Sequence, residues 1–144
     1  MIAVDTNVLV AAHRRDAPAH APAREALRSL AESGSPWAVP WPCVHEFLAV
    51  VTHPRIFRPP STLDQALAEV AAWVESGTLV LLSEADGYLD TLAGLLRAGR
   101  VRGPRVHDAR VAALCRLHAV RELLSADRDF GRFPGLKVRN PLVG

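Results

Sequence analysis

Short apolar runs alternate along the chain with longer segments of helical character. The runs are bounded by polar residues, proline or glycine and have the length of buried strands. Between them, apolar residues recur at helical spacing, for example over 22–33 and 106–118. This alternation predicts a mainly parallel sheet of about five strands in a three-layer α/β/α architecture, with helices on both faces. The expected strands lie at 2–4, 37–39, 78–82, 122–125 and 136–139.

Capping signals predict where some of the helices begin. Thr62 with Gln65, and Ser83 with Asp86, have the spacing of a capping box. We therefore expect one helix to begin at each of these pairs, the second extending to about Ala98.

The length and composition of the chain suit one packed domain. Of its 144 residues, 49% are hydrophobic and 22% are charged, as in an ordinary globular protein. The sequence contains no repeat, low-complexity segment or linker. We expect a single domain over 1–144.

Cysteine usage and the N-terminal residues bear on the cellular compartment. Cys43 and Cys115 lie far apart, without metal-binding spacing, and are expected to be buried thiols in a reducing compartment. Asp5 interrupts the apolar N-terminus, and no basic residue precedes it, which is a poor match to a signal peptide. No apolar run approaches the roughly 20 residues that span a bilayer. These features predict a soluble, cytoplasmic protein.

The charge of the chain is compatible with a nucleic-acid partner but does not establish one. The formal net charge is +2, and the basic residues are nearly all arginine, which suits phosphate recognition. Abundant Ala, Arg and Pro also indicate a GC-rich genome, and that explanation of the composition is the stronger one.

Two carboxylates directly follow apolar strands. Asp5 comes after the run at 2–4, and Asp127 comes shortly after Leu123 and Leu124. In an open parallel sheet, the carboxyl ends of the strands form the ligand crevice. We therefore expect Asp5 and Asp127 to reach the same edge of the sheet.

Two further acids share a helix with apolar residues. Glu46 lies at helical spacing from Cys43 and Val50, on or beside the predicted buried stripe. Asp108 is followed by Val111 and Cys115, which places it on the buried face in the first turn of its helix. Buried carboxylates neutralise, pair or bind a cation. A hard divalent cation such as Mg²⁺ or Mn²⁺ would relieve the repulsion of converging acids and suits phosphodiester hydrolysis.

Each acid also has a structural explanation. Asp5 has the position of a helix N-cap, and Asp108 that of a first-turn acid favoured by the helix dipole. Asp127 with Asp129 fits a turn, and Glu46 fits one half of a buried ion pair. Any one acid fits its structural role as well as the functional one, whereas all four together favour a site.

These residues resemble the PIN-domain nucleases and, among them, the VapC-type toxins of bacterial toxin–antitoxin pairs. The resemblance spans the whole chain, in order, and the ordered set is more specific than the DTN opening alone. The matching segments are IAVDTNVL at 2–9, EF at 46–47, HDA at 107–109, LSADRDF at 124–130 and NPL at 140–142.

The resemblance implies a PIN-like fold and a Mg²⁺- or Mn²⁺-dependent endoribonuclease that leaves a 5′-phosphate and a 3′-hydroxyl. It also implies an RNA substrate, a VapB-like antitoxin partner and a homodimer. By the same resemblance, the catalytic and metal-binding acids are Asp5, Glu46, Asp108 and Asp127. The implied supporting residues are Asn7, Ser125 and Asp129, of which Asp129 either reaches the metal through water or caps a short helix.

A basic segment beside Asp108 provides the candidate RNA contacts. It is equally well explained as a solvated loop. The arginines concerned are Arg100, Arg102, Arg105 and Arg110.

Other enzyme classes fit the sequence less well. A zinc protease with an HExxH motif needs histidine where this chain has Ala49. A haloacid-dehalogenase-type phosphatase needs a second aspartate where this chain has Asn7. The pair His107 and Asp108 resembles HD-type phosphohydrolases, but those require further histidines on an all-helical frame. The alternatives left open are a non-catalytic PIN-like module that binds RNA or protein, and a DNA-directed nuclease of the same fold.

Overall fold

A computed structural model describes residues 1–143 of the chain. Its strands are β1 (Ile2–Val4), β2 (Trp37–Pro40), β3 (Leu79–Leu82), β4 (Glu122–Leu124) and β5 (Lys137–Arg139). Its helices are α1 (Thr6–His13), α2 (His20–Glu32), α3 (Trp41–Val51), α4 (Leu63–Glu75), α5 (Tyr88–Ala98) and α6 (Val106–Leu117), with short 3-10 turns at Gly103–Arg105 and Arg128–Arg132. Gly144, the last residue of the predicted domain, lies outside the described residues.

The strands form one parallel sheet in the order β3-β2-β1-β4-β5. The chain moves outward from β1 to β3 and then returns to β4 on the other side of β1. Because crossovers between parallel strands are right-handed, this reversal places α1 to α4 on one face and α5 and α6 on the other. The helix contacts agree, since α1 packs on α2 and α3, α4 on α3, and α5 on α6. The predicted three-layer α/β/α architecture is confirmed.

The central strands are apolar throughout because both faces of the sheet are covered. Ala3, Val4 and the whole of β2 are buried. On the α1–α4 side, the Phe47 ring lies 4.8 Å from the Trp73 ring and 5.3 Å from the His13 ring, measured between centroids. These aromatic contacts join α1, α3 and α4 over the sheet.

One predicted helix start is wrong. The capping box at Thr62 and Gln65 is present, but the one at Ser83 and Asp86 does not form. Instead, α5 begins after Gly87, whose φ of +86° lies in the left-handed region. A helix cannot continue through that conformation, so residues 83–87 form the connection from β3.

The cysteines are buried and free, as predicted. Burial raises the pKa of the Cys115 thiol to about 12 and the pKa of the Cys43 thiol well above its usual range. Both side chains are therefore protonated at neutral pH and pack as small apolar groups. Within residues 1–143, no helix is both long enough and apolar enough to cross a membrane.

Edge strand β5 is attached to β4 by an ion-pair cluster as well as by backbone pairing. The Glu122 carboxylate accepts a 2.6 Å hydrogen bond from Arg139 and lies 3.5 Å from the Lys137 ammonium. Backbone pairing continues past β4, where the Ser125 N–H donates to the Arg139 carbonyl at 3.0 Å. The β5 edge therefore holds the segment that follows β4 in place.

We predict that a Glu122→Gln variant loses stability at neutral pH and that the loss disappears in acid. The bond from Arg139 and the charge of Lys137 lower the pKa of Glu122. Such a carboxyl contributes stability above its unfolded pKa of about 4.3, and this contribution is lost as pH falls through the lower folded pKa. Thermal unfolding should show a lower Tm for the variant near pH 7, with the two proteins converging as pH falls below the lowered folded pKa of Glu122.

Glu25→Gln provides the control for this experiment. Glu25 pairs with Arg28 on α2, and both side chains are more than half exposed, at 59% and 58%. Exposed pairs of this kind contribute little. An equal loss of Tm in both variants, or a loss for Glu122→Gln that persists in acid, contradicts the assignment.

Candidate functional site

The site lies where the chain order of the sheet reverses, between β1 and β4. In parallel α/β sheets this is where ligands bind, outside the carboxyl ends of the strands. Asp5 directly follows β1, and its N–H donates to the Leu124 carbonyl at the end of β4 at 2.9 Å. The segment after β4 contributes Ser125 and Asp127 to the same edge.

Asp5 is the only acid of the site that is buried, with 7% of the residue exposed. One carboxylate oxygen accepts the Thr6 N–H at 2.8 Å and the Cys43 thiol at 3.5 Å. The other accepts the Ser125 hydroxyl at 2.7 Å and the Asn7 amide at 3.2 Å. Asp5 is thus the N-cap of α1 and is also fixed against the segment after β4, so its structural and functional explanations are compatible.

Asn7 and Ser125 form a polar link between α1 and the chain after β4. The Asn7 amide nitrogen donates to Ser125 Oγ at 3.3 Å, and its carbonyl oxygen accepts the Ala126 N–H at 3.1 Å. Ser125 Oγ also accepts the Asp127 N–H at 3.0 Å. The Asp127 carboxylate in turn accepts the Asp129 N–H at 2.9 Å, capping the following 3-10 turn.

Glu46 reaches the site from α3. The residue lies beside the buried stripe, one of the two positions that its spacing predicts, and is largely exposed because its neighbours Cys43 and Phe47 occupy the stripe itself. The Thr6 hydroxyl donates to its carboxylate at 3.4 Å. Sequence reasoning missed Thr6, although the residue stands inside the DTN segment.

Asp108 lies in the first turn of α6 with 27% of its side chain exposed, so the predicted burial is only partial. The Arg105 guanidinium lies 3.4 Å from its carboxylate and also contacts Asp129 closely. Asp129 caps no helix of its own. Its side chain instead pairs with Arg105 and, at 4.0 Å, with Arg132.

The acids line two neighbouring pockets. One pocket, of about 390 Å³, is lined by all four acids and by apolar residues of α1, α3 and the 52–61 loop. The other, of about 350 Å³, shares Asp5, Glu46 and Asp108 but is otherwise lined by residues that include His45, His107, Arg110 and Phe130. The structure therefore brings together Asp5, Glu46, Asp108 and Asp127, drawn from different elements.

Burial and mutual repulsion raise the pKa of three of these carboxyls. Burial is the main cause at Asp5, and the charge of Asp127 adds to it. At Glu46, partial burial and then the charge of Asp5 raise the pKa, and Asp108 adds a smaller effect. At Asp108, partial burial and then the charge of Asp127 raise the pKa, against the opposing effect of Arg105. The negative charge of these carboxylates is therefore greater than the charge of Arg105 can balance.

The donor set fits a hard divalent cation in its chemistry. Carboxylate oxygens are the preferred ligands of Mg²⁺ and Mn²⁺, and mutual repulsion among the acids is what such a cation relieves. Across residues 1–143, however, no group of three or more His, Cys, Asp or Glu side chains is arranged to hold a metal ion. The partly exposed carboxylates would have to change rotamer to converge on one, with Asp5 as the fixed member.

The four predicted RNA-binding arginines differ in their contacts. Arg105 points to Asp108 and Asp129, and Arg110 pairs with Glu84 at 3.0 Å while lining the second pocket. Arg100 and Arg102 are exposed on the loop before α6. Sequence reasoning grouped the four arginines because they lie near Asp108 along the chain. In the structure, two of them pair with acids and two are exposed on the loop.

Comparison with known proteins gives a consistent family. The family model described as the PIN domain matches residues 2–136. Ribonuclease VapC48 of Mycobacterium tuberculosis is 32% identical over 141 residues, covering 97% of each chain. Ribonuclease VapC43 of the same organism is 35% identical over 144 residues, covering 100% of this chain and 97% of the relative.

Solved structures agree on the fold. The structure of VapBC2 from Rickettsia felis, bound to a DNA fragment from its promoter, superposes with a TM-score of 0.68 at 18% identity. The match covers 97% of this chain and 98% of that one. At this identity the structural likeness bears on the fold, while the sequence matches bear on the family. The chain belongs to the PIN-domain family and, within it, to the VapC ribonucleases.

Proposed function

We propose that the protein is a Mg²⁺- or Mn²⁺-dependent endoribonuclease that hydrolyses RNA phosphodiester bonds. The proposed metal ligands are Asp5, Glu46, Asp108 and Asp127. The observation that carries the proposal is that these carboxylates, from four separate elements, line one pocket at the reversal point of the sheet. A module that only binds RNA or protein has no need for clustered acids, and burial together with neighbouring carboxylates raises the pKa of Asp5, Glu46 and Asp108.

When bound, a divalent cation lowers the pKa of water and offsets the charge that develops on the phosphate. The residues of the chain position the carboxylates that would hold the cation. Ser125 and Asn7 fix the Asp5 carboxylate by hydrogen bonds, and Thr6 orients Glu46. Because Asp5 is already fixed, it loses little freedom when a cation binds, and the other carboxylates can converge on it.

In the proposed reaction, the oxygen of water bonds to phosphorus and the bond from phosphorus to the 3′-oxygen breaks. One proton of water leaves the nucleophile, and one proton ends on the 3′-oxygen. The products are a 5′-phosphate and a 3′-hydroxyl. Asp129 supports this site by pairing with Arg105, because that pairing gives the guanidinium a second partner when the cation competes for Asp108. The proposed phosphate contacts elsewhere on the strand are Arg100, Arg102 and Arg110.

We further propose that the protein acts in the cytoplasm as the toxin of a VapBC-type pair, as a homodimer that binds a VapB-like antitoxin. The support is the VapC name of its relatives and the VapBC complex among the structures of the same fold. Light scattering of the purified protein, alone and co-expressed with the product of a neighbouring gene, checks both partners. A monomer that co-purifies with no such product contradicts this part of the proposal.

Cleavage of total cellular RNA should require both a divalent cation and Asp108. We expect cleavage with Mg²⁺ or Mn²⁺, none with EDTA, and a loss of at least about 100-fold in Asp108→Asn, as for loss of a metal ligand. Asp90→Asn is the matched control, because Asp90 occupies the same first-turn position in α5 and lines neither pocket. Equal cutting by wild type and Asp108→Asn removes the catalytic assignment.

Divalent cations should also stabilise the folded protein independently of any activity. Binding to the folded state alone adds about 2.7 kcal/mol at 100 times the Kd. Differential scanning fluorimetry should show a Tm that rises with Mn²⁺ for wild type and Asp90→Asn, and rises much less for Asp108→Asn. The same ionic strength in NaCl is the reference. A rise of equal size in all three proteins places the cation elsewhere.

A further inference from the structure

We propose that the apolar half of the 390 Å³ pocket is a subsite for the nucleobase next to the scissile phosphate. Phe57 and Ile56 form its stacking wall, and Arg14 is the residue that positions this wall. The inference rests on the proposed ribonuclease function and names where that substrate is recognised.

The pocket joins the proposed cleavage site directly to an apolar surface. Opposite the acids, its lining consists of Val10, Ala17, Val50, Ile56 and Phe57, together with Ala11. Its volume lies within the roughly 300–1,000 Å³ typical of small-ligand sites. Ile56 is 52% exposed although it is a large apolar residue. A group seated at the acids therefore extends over this surface.

The loop at 52–61, which carries Ile56 and Phe57, is closed by its own backbone. The Ser61 N–H donates to the Val51 carbonyl at 2.8 Å, which brings the ends of the loop together. Inside the loop, the N–H groups of Ile56 and Phe57 both donate to the His53 carbonyl at 3.1 Å. The two apolar side chains are thus presented from a defined turn.

Arg14, at the end of α1, binds this loop to the body of the protein. Its guanidinium donates to the Pro59 carbonyl at 3.0 Å and to Ser61 Oγ at 3.2 Å, and lies 4.3 Å from the centre of the Phe57 ring. Asp16 holds the same guanidinium by bonds of 2.8 and 2.6 Å. The Arg14 side chain is only 12% exposed. Few surface loops are held by so many contacts from one side chain.

The chemistry of the pocket favours a base over a peptide. Single-stranded RNA is recognised mainly by bases that unstack and lie against aromatic side chains. The Arg14 guanidinium covers one face of the Phe57 ring, which leaves the opposite face for a base, and the neighbouring acids account for the adjoining phosphate through the proposed cation. A protein partner would cover about 800 Å² of this chain, and the pocket would form only a small part of that surface.

The second pocket, which also borders the acids, suggests how the RNA strand would lie across the site. Beyond the acids it is lined by Pro42, Ala49, Val111 and Phe130 together with His45, His107 and Arg110, and the last three have N–H groups that can donate to the phosphate backbone. An RNA strand that crosses the acids would place one neighbour of the scissile phosphate against Phe57 and the other beside these basic side chains. One side of the cleavage site is then read by stacking, and the other is held by charge.

The test compares an intact RNA with the same RNA lacking one base. The cleavage site is first mapped with the full-length protein, and short oligonucleotides spanning it are made with an abasic residue on either side of the scissile phosphate. For wild type, we expect one of the two abasic oligonucleotides to show a kcat/KM lowered by about 10-fold. Phe57→Ala should lose about as much on intact RNA and then be indifferent to that abasic position. Arg14→Gln should behave in the same direction.

Controls separate stacking from folding and from the proposed function. Phe57→Tyr should restore the sensitivity to the abasic position, and Leu63→Ala, on the exposed face of α4, should match wild type. Equal abasic sensitivity in wild type and Phe57→Ala overturns the subsite while leaving the ribonuclease intact. Wild type that cleaves no RNA with either metal overturns the proposed function and the subsite with it. Weakened binding of a partner protein with unchanged RNA kinetics in Phe57→Ala assigns the pocket to protein docking and also overturns the subsite.

Discussion

The buried carboxylate of Asp5 is the interaction on which the rest of the site depends. This carboxylate caps α1 and accepts a hydrogen bond from the hydroxyl of Ser125, which follows β4. Only 7% of the Asp5 residue is exposed. A charge in that position is costly unless hydrogen bonds and a counter-charge accompany it. The DTN segment and the serine after β4 supply the bonds. Within residues 1–143, the hydrogen-bond donors to the Asp5 carboxylate are all neutral, and the proposed cation would provide the counter-charge.

Sequence patterns were sufficient for the layers of the fold and for which acids approach one another. Apolar runs followed by Asp5 and Asp127 predict a shared sheet edge, and the structure has it at the reversal between β1 and β4. The sequence could not predict how deeply Glu46 and Asp108 are buried. Helical spacing determines the direction in which a side chain leaves its helix, but burial also depends on how closely the neighbouring elements pack against that face. Sequence patterns also placed the start of α5 too early, where the backbone of Gly87 decides the boundary.

The sequence also did not predict the polar contacts between residues that lie far apart along the chain. Arg105 reads as one more cation in a basic loop, yet in the fold it pairs with Asp108 and Asp129, which are separated from one another by many residues. Arg14 likewise reads as a helix-terminal residue, while its partners at Pro59 and Ser61 come from a distant loop. The pair of Arg105 with Asp108 has helical i,i+3 spacing, whereas the contacts with Asp129, Pro59 and Ser61 are set by tertiary structure and leave no periodic signal, because a guanidinium has several donors and a long side chain.

The pairing of Arg105 shows how the chain tolerates its acids. Negative charge from Asp108 and Asp129 is partly balanced by one exposed guanidinium, which raises the pKa of Arg105 and opposes the rise in the pKa of Asp108. Asp5 and Glu46 have no such arginine among their closest described contacts, and their carboxyls are held instead by neutral donors. The site is therefore charge-balanced at its α6 side and acidic at its β1 and α3 side. A divalent cation held by Asp5 and Glu46 would complete the balance there and would compete with Arg105 for Asp108. An exposed guanidinium is far easier to displace than a buried one. Arg105 therefore reduces the repulsion among the acids and still leaves the site open to a cation.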